Sequence, residues 1–152
     1  LTRLGPEPFS DEFSVDYYIQ VLKGRTRPIK NALLDQKIVA GIGNIYADES
    51  LHRARIHPLT PAFELTQRQA GRLRDAIRAT LSEAIAQNGS SFDTFYRTPE
   101  GKPGAFQNYF QVYGRHGQPC HQCGTPLERM VIAQRSAHFC SRCQQAPTNV
   151  PA

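Results

Sequence analysis

Four cysteines in two closely spaced pairs constrain this chain more than any other feature of its sequence. Cys120 and Cys123 form one Cys-x-x-Cys pair, and Cys140 and Cys143 form a second pair after the sixteen intervening residues 124–139. Two such pairs at this distance are typical of one tetrahedral zinc ion held by four thiolates. Because four thiolates leave no position open for water, we expect this single zinc to be structural. Two disulfides or four unrelated core cysteines are the alternatives.

The segment between the two pairs contains too little apolar surface to fold without a metal. Its residue pattern predicts two strands over residues 128–133 and 138–140, joined by a turn over residues 134–137. Arg135 lies in that turn, where a guanidinium on a rigid mount favours contact with a phosphate or a base. We expect His121 and His138 to stay at the surface, since four cysteines already fill the zinc shell.

The overall charge favours a polyanionic partner. Eighteen Lys and Arg residues against thirteen Asp and Glu residues give a net charge of +5, a balance that favours nucleic acid. No stretch reaches the eighteen or so apolar residues of a membrane span, and the first residues lack the apolar core of a signal peptide. We therefore expect a cytoplasmic monomer with no membrane partner.

Apolar periodicity ahead of the cysteines predicts a mainly α fold. Three shorter helices are predicted over residues 11–22, capped by Ser10, over residues 29–36, led by Pro28, and over residues 45–55, capped by Asn44. In the second of these, Lys30 is expected to point outward. Thr66 and Gln69 form a capping box for a fourth, longer helix that ends near residues 88–89.

A local excess of basic residues occurs between residues 23 and 55, where seven Lys or Arg residues stand against three acids. A solvated helical face would explain such an excess equally well. The glycine turn that ends at Gly43 favours a binding site instead, because free N–H groups at a helix start can hold a phosphate. Asn44 follows this turn and either caps its own helix, contacts a ligand, or does both.

Several motifs then follow one another in a characteristic order. They are Leu4-Gly-Pro-Glu-Pro8, Ile29-Lys30 ahead of Leu33-Leu34-Asp35-Gln36, Val39-Ala-Gly-Ile-Gly-Asn44-Ile-Tyr-Ala-Asp-Glu49, Ile56-His-Pro58, Gly101-Lys-Pro-Gly104, Val112-Tyr-Gly-Arg115, and Gln134-Arg135 with Cys140. In this order they resemble the C-terminal part of bacterial formamidopyrimidine-DNA glycosylase, and the resemblance extends from residue 1 to about residue 144.

The resemblance implies a helix-two-turn-helix domain followed by a zinc finger, both holding damaged double-stranded DNA. The implied divisions are a helical domain over residues 1–114 with a lid loop at about 90–104, and a zinc finger over residues 115–144. Residues 145–152 contain two prolines and no periodic apolar pattern, so we expect them to form a disordered tail. The implied DNA contacts are phosphate contacts by Lys30, Asn44, Arg25 and Arg27, assisted by the Gly43 turn, and insertion at the lesion by Arg135. In the family that arginine is also associated with the final elimination step.

The family attacks the sugar with an N-terminal proline amine carried by a β-rich domain, and we expect that domain to be absent from this chain. The resemblance then implies a parent protein that is a bifunctional DNA glycosylase and AP lyase for oxidised purines such as 8-oxoguanine and formamidopyrimidines, and a chain that is inactive alone. The alternatives are a stand-alone, non-catalytic DNA-binding module and a fragment of the related endonuclease VIII branch, which acts on oxidised pyrimidines.

Overall fold

The computed structural model describes residues 4–88 and 110–147. In chain order its elements are α1 (Val15–Leu22), α2 (Ile29–Leu34), α3 (Asn44–Ala54), a 3-10 turn at Ala62–Glu64, α4 (Gln67–Asn88), β1 (Glu128–Ile132) and β2 (Arg135–Phe139). This order confirms the predicted mainly α class with a terminal hairpin. The predicted lid at about 90–104, and the end of the predicted tail from residue 148, lie outside the described residues. Within the described ranges, no helix is both long and apolar enough to cross a membrane.

The four helices share one hydrophobic core. Each helix contributes at least one fully buried side chain to this core, namely Tyr18, Leu33, Leu51 and Ile77 in chain order. Phe13, just before α1, is also fully buried in it. The most extensive helix packing is between α3 and α4. This core fixes α2 and α3 relative to each other.

The helix starts differ from the predicted ones at two places. Helix α1 begins at Val15, because the Ser14 hydroxyl accepts the backbone N–H of Tyr17 at 3.1 Å. The predicted cap, Ser10, instead accepts the N–H of Glu12 at 3.0 Å in the turn before the helix. Helix α3 has Gly43 at its N-cap position and no side-chain cap, so the predicted capping role of Asn44 is wrong.

Helix α4 begins as predicted. The Gln69 carboxamide accepts the N–H of Thr66 at 3.0 Å, and the Thr66 hydroxyl accepts the N–H of Gln69 at 3.1 Å. These two bonds form the reciprocal capping box that the sequence predicts. Near the other end of the helix, Ile85 is exposed and Ala84 is buried against Phe110. The inward face of the last turns therefore includes Ala84 and not Ile85.

The hairpin is tighter than predicted. Strands β1 and β2 pair antiparallel with Ile132 opposite Arg135, so the turn consists of Ala133 and Gln134 alone. Both turn residues have positive φ, 50° and 69°, which is the conformation of the two-residue turns whose twist matches that of the strands. The predicted turn over residues 134–137 is therefore wrong, and Arg135 is the first residue of β2.

Candidate functional site

The four cysteine sulfurs form one cluster. All four Sγ atoms lie within 4.8 Å of one another, with 3.5 Å between Cys123 and Cys140 and 3.8 Å between Cys120 and Cys143. A tetrahedral zinc with Zn–S bonds of about 2.3 Å requires sulfurs separated by about 3.8 Å. The thiols are free and are not bonded as disulfides. The cluster therefore fits the one structural zinc ion that the spacing predicts.

The surroundings of one sulfur favour the thiolate form that zinc requires, whereas burial raises the pKa of Cys140 and Cys143. The hydrogen bond with the Thr125 hydroxyl, at 3.2 Å, is the largest cause that lowers the pKa of Cys123, to about 6. The backbone N–H of Gln122 also donates to the sulfur of Cys120 at 3.4 Å. The buried ring of His52, on α3, places Nε2 at 3.6 Å from the same sulfur. Burial, with nearby Arg55 adding to the effect, lowers the pKa of His52 to about 4, so this ring is neutral at pH 7.

A second polar cluster joins the helices to the hairpin. The Lys30 Nζ lies 2.7 Å from Asp48 Oδ1 and donates to the carbonyl oxygen of Ser136 at 2.6 Å. The other oxygen of Asp48 accepts the backbone N–H of His138 at 3.0 Å and lies 3.0 Å from that residue's Nδ1. We call these four residues, Lys30, Asp48, Ser136 and His138, the Asp48 junction. It connects α2, α3 and β2.

The junction corrects two expectations drawn from the sequence. The side chains of Lys30 and Asp48 are each only 1% exposed, so Lys30 does not lie on a free outer face of α2. His138 is also buried, and its ring packs on Tyr113 with the ring centroids 4.7 Å apart. The reason is tertiary, because β2 packs against α3 and its Ser136 carbonyl meets the Lys30 amine of α2.

The junction also brings together three residues that the sequence predicts as DNA contacts. The Asn44 Nδ2 donates to the Ser136 carbonyl at 3.1 Å, so that oxygen accepts bonds from both Lys30 and Asn44. The residue just before Ser136, Arg135, is exposed, and its guanidinium has no hydrogen bond or ion pair with another described residue. Gly43 precedes Asn44 with φ −93° and has open space where a side chain would project.

The other two residues predicted to contact DNA, Arg25 and Arg27, bond residues outside the Asp48 junction. The Arg25 Nε donates to the carbonyl of Val21 at the end of α1, at 2.7 Å. Arg27 is half-exposed and pairs with Asp35 at 3.1 Å, beyond the end of α2. Both arginines keep further N–H groups for a ligand, since a guanidinium carries five donors. Neither contacts the Asp48 junction directly.

The basic excess between residues 23 and 55 is not one continuous face. Lys30 is buried, as described above, and Arg53 pairs with Glu83 at 2.9 Å. Arg53 lies in the last turn of the 11-residue helix α3 and Arg55 follows its end, which places them about 15 Å along the helix axis from Asn44. The charge count alone therefore overstates the positive surface at the start of α3.

Two further residues that the motifs do not assign a role attach the zinc finger to the helices. The Glu49 carboxylate accepts the N–H groups of Gln111, Val112 and Tyr113 at 2.8 to 2.9 Å. Burial raises the pKa of Glu49, and these three bonds oppose that effect. Gln144 is fully buried and bonds both the carbonyl of Ile56, at 3.0 Å, and the N–H of Cys140, at 2.8 Å.

Only part of this attachment has a signal in the sequence. Asp48 lies three residues before Leu51, on the buried face of α3, so its position in the helix indicates a buried carboxylate that needs a partner. Its partners are 18 residues before it and 90 residues after it, and no local pattern connects them. His52 and Gln144 have no comparable signal.

Comparison with known proteins gives the following relationships. Residues 4–96 match the formamidopyrimidine-DNA glycosylase H2TH domain, and residues 117–146 match the zinc finger found in FPG and IleRS. The chain is 52% identical over 145 residues to the formamidopyrimidine-DNA glycosylase of Thermus thermophilus, a match that covers 95% of this chain and 54% of that protein. It is 53% identical over 144 residues to the Crocosphaera subtropica enzyme of the same name, covering 95% and 50% respectively. The chain thus spans about half the length of these curated relatives.

Solved structures agree with these matches. The crystal structure of the MutM (Fpg) protein from Thermus thermophilus superposes with a TM-score of 0.83 at 51% identity, covering 95% of this chain and 55% of that one. Lactococcus lactis Fpg in complex with DNA containing an abasic site superposes with a TM-score of 0.84 at 39% identity, covering 94% and 52%. Because the H2TH match over residues 4–96 covers more than half of the chain, this protein belongs to the formamidopyrimidine-DNA glycosylase H2TH domain family.

Proposed function

We propose that this chain is the DNA-holding part of a base-excision-repair glycosylase that removes oxidised purines from duplex DNA. The observation that carries the proposal is the position of Arg135, Asn44 and Gly43 side by side, at the start of α3 and on the zinc-held hairpin. The identity to formamidopyrimidine-DNA glycosylases supports the purine branch over the pyrimidine branch. The Lactococcus lactis protein, bound to abasic-site DNA, supports DNA as the partner.

The geometry supports a division of roles within this surface. We define the DNA face as Gly43, Asn44, Arg135, Arg25 and Arg27. The first N–H groups of α3 and the amide of Asn44 suit a phosphate, because helix starts carry free donors and a positive partial charge. Arg135 projects from a short, metal-held strand, and its forked donors suit the lesion site and the elimination step. Arg25 and Arg27 would hold the flanking backbone, and Lys30 supports the same surface from beneath through Ser136.

We also infer that this chain holds DNA without cleaving it. Base excision with strand cleavage needs an accessible amine next to a carboxylate. Among the described residues, the lysine amine that lies beside a carboxylate is that of Lys30. It is not accessible, because its side chain is 1% exposed and its amine is bonded to Asp48 and Ser136. The glycosylase and AP lyase activity of the parent enzyme then depends on an amine other than that of Lys30.

An incubation with DNA tests the function and separates it from its alternatives. The zinc-loaded chain is mixed with duplexes that contain 8-oxoguanine, a tetrahydrofuran abasic analogue or no lesion. We expect binding that weakens steeply with salt, without strand cleavage and without an adduct after borohydride treatment. Absence of binding at about 50 mM salt would refute the DNA-holding role, and a trapped adduct would show that the chain carries its own nucleophile.

A matched pair of arginine variants locates the binding surface. Arg135 and Arg129 are both exposed on the hairpin, but their strand positions place them on opposite faces of it. We expect Arg135→Met to weaken binding to the tetrahydrofuran duplex at least about tenfold, the loss typical of one good charged contact. Arg129→Met should change it by less than about twofold, as expected for a charge outside the interface. Equal losses from both variants would contradict the assigned face.

A further inference from the structure

We propose that Lys30 contributes to DNA binding by positioning Arg135 and makes no phosphate contact of its own. In this view, Lys30 and Asp48 hold the outer edge of β2, and that edge fixes the direction in which Arg135 projects. The inference rests on the proposed DNA face and departs from the phosphate contact that the sequence predicts for Lys30.

The first support is the bonding state of the Lys30 amine. An ammonium group has three N–H donors, and in Lys30 one faces Asp48 Oδ1 at 2.7 Å and another the Ser136 carbonyl at 2.6 Å. The side chain is 1% exposed, as is that of Asp48. A phosphate could reach the amine only if this cover were removed, and removing it would leave the buried carboxylate of Asp48 unpaired, which is costly.

The second support is the direction of the bonds on β2. With Ile132 paired to Arg135 across a two-residue turn, the backbone groups of Ser136 and His138 point away from β1, toward the open edge of the strand. Lys30 bonds the carbonyl of Ser136, and Asp48 accepts the N–H of His138 at 3.0 Å. The ion pair therefore completes the ladder on the outer edge of β2, in place of a third strand.

The third support is the proximity of Arg135 to this anchor. Arg135 is adjacent in the chain to Ser136, whose carbonyl also accepts the Asn44 amide at 3.1 Å. Burial lowers the pKa of Lys30 and Asp48 opposes that effect, while the positive charge of Arg135 adds to the lowering. The carboxylate of Asp48, 2.7 Å from the Lys30 amine, offsets the repulsion between these two positive side chains. Lys30 and Asp48 thus form an ion pair without net charge next to the exposed guanidinium of Arg135.

Salt dependence separates a positioning role from a phosphate contact. The zinc-loaded chain, Lys30→Met, Arg135→Met, their double variant and Arg27→Met are titrated with the tetrahydrofuran duplex at several KCl concentrations. A lost phosphate contact lowers the slope of log K against log salt by about 0.9. We expect that change for Arg27→Met, whereas Lys30→Met should weaken binding about fivefold or more with its slope unchanged. In the Arg135→Met background, Lys30→Met should have almost no further effect.

A slope lowered by about 0.9 in Lys30→Met, with losses that simply multiply in the double variant, would overturn the proposal and assign Lys30 to a phosphate. A DNA-free measurement keeps the anchor testable if the chain does not bind DNA. In zinc-loaded Lys30→Met, amide hydrogen exchange should accelerate at residues 135–138 and stay unchanged in α4. Unchanged exchange in the hairpin would refute the anchor, and absence of DNA binding by the wild type would refute the proposed function alone.

A double variant without charges keeps the proposal testable if Lys30→Met does not fold. Lys30→Gln combined with Asp48→Asn removes both charges but keeps a donor for Ser136 and an acceptor for His138. We expect this double variant to bind one zinc and to restore DNA affinity to within about threefold of the wild type, since removing both partners of a buried pair is tolerated better than removing one. A folded neutral pair that binds as weakly as Lys30→Met would contradict the anchor.

Discussion

At the scale of single residues, two glycines have opposite steric surroundings. A Cβ at Gly5 would lie 2.5 Å from the carbonyl oxygen of Lys37 and 2.7 Å from the backbone of Ile38. A Cβ at Gly71, inside α4, would make an ordinary contact with Val15 at 3.7 Å. The backbone at Gly5 therefore packs directly against the backbone of residues 37 and 38. Gly71 meets no such neighbour, and it lowers the stability of α4 because glycine loses more conformational entropy on folding than other residues do.

We predict that the same substitution has opposite effects at these two sites. Gly5→Ala should lower the free energy of unfolding by about 2 kcal/mol, because backbone atoms cannot move aside cheaply. Gly71→Ala should raise it by about 0.5 to 1 kcal/mol, through helix propensity. Urea unfolding of the zinc-loaded protein, followed by circular dichroism, measures both. Similar changes in both variants would contradict the close backbone approach at Gly5.

Also at the residue scale, we predict a pH effect from His57. Its Nδ1 accepts the N–H of Leu59 at 3.0 Å, and its ring packs on Phe139 with the centroids 4.8 Å apart. Burial lowers the pKa of His57 below its usual 6.5, with Glu128 opposing. Since the unfolded chain takes up the proton more readily, the stability that the neutral ring contributes is complete above pH 6.5 and is lost as the pH falls toward the lowered pKa.

His57→Asn keeps an acceptor for Leu59 and removes the titration. We therefore expect the free energy of unfolding of this variant to decline less than that of the wild type between about pH 7 and pH 5.5. Both proteins are measured with the same excess of zinc, so that any loss of metal at low pH affects them equally. Parallel curves for the two proteins would show that His57 does not titrate differently on folding.

At the scale of elements, we expect the zinc finger to depend on its metal for folding and the helices to fold without it. One buried cluster of the finger consists of Val112, Cys120, Leu127 and Cys140, so half of its members are zinc ligands. The helices instead share a separate core with nineteen buried members. We predict that a strong chelator unfolds the hairpin while α1 to α4 stay folded, since the small cluster cannot offset the entropy of ordering by itself.

Two-dimensional amide NMR checks this prediction. On chelation, the signals of residues 111–147 should collapse toward unfolded positions, while those of the helices keep their dispersion, and added zinc should restore the first set. Cys143→Ser should resemble the chelated protein. A chelator that unfolds helices and hairpin together would show that the two parts form one cooperative unit.

How far sequence predicts each element depends on how local its determinants are. Helix α4 begins as predicted because Thr66 and Gln69 cap it within three residues. The start of α1 is mispredicted because two serines, Ser10 and Ser14, compete as caps over four residues. Asn44 is mispredicted as a cap because its amide bonds Ser136, 92 residues away. The cysteine cluster is predicted from spacing, whereas Lys30 is placed wrongly because Asp48 and β2 cover it only in the folded molecule.

At the scale of the whole molecule, α3 links the zinc finger to the helical core. Two consecutive acids on α3 anchor it at two places, since Asp48 bonds β2 and Glu49 bonds the segment 111–113 that leads into the finger. Neighbouring residues on a helix point about 100° apart, so the two carboxylates hold the finger from two directions. The start of α3 and the start of β2 are thereby fixed side by side, which gives the DNA face a defined geometry before any ligand binds.

The Gly43 turn offers a test of this geometry that leaves the fold intact. Its φ of −93° is open to any residue, and a Cβ there would meet nothing within 4 Å. Gly43→Ala should therefore lower the free energy of unfolding by no more than about 1 kcal/mol, mainly because alanine is a poorer N-cap residue. If a phosphate approaches the first N–H groups of α3, however, the new methyl group occupies part of its space. We predict at least about tenfold weaker binding to lesion-containing and undamaged duplexes alike, because a phosphate contact carries no base information.

Gly71→Ala, the same substitution on α4, is the control and should bind normally. Unchanged affinity in Gly43→Ala would place the phosphate elsewhere and leave Asn44 and Arg135 to define the DNA face.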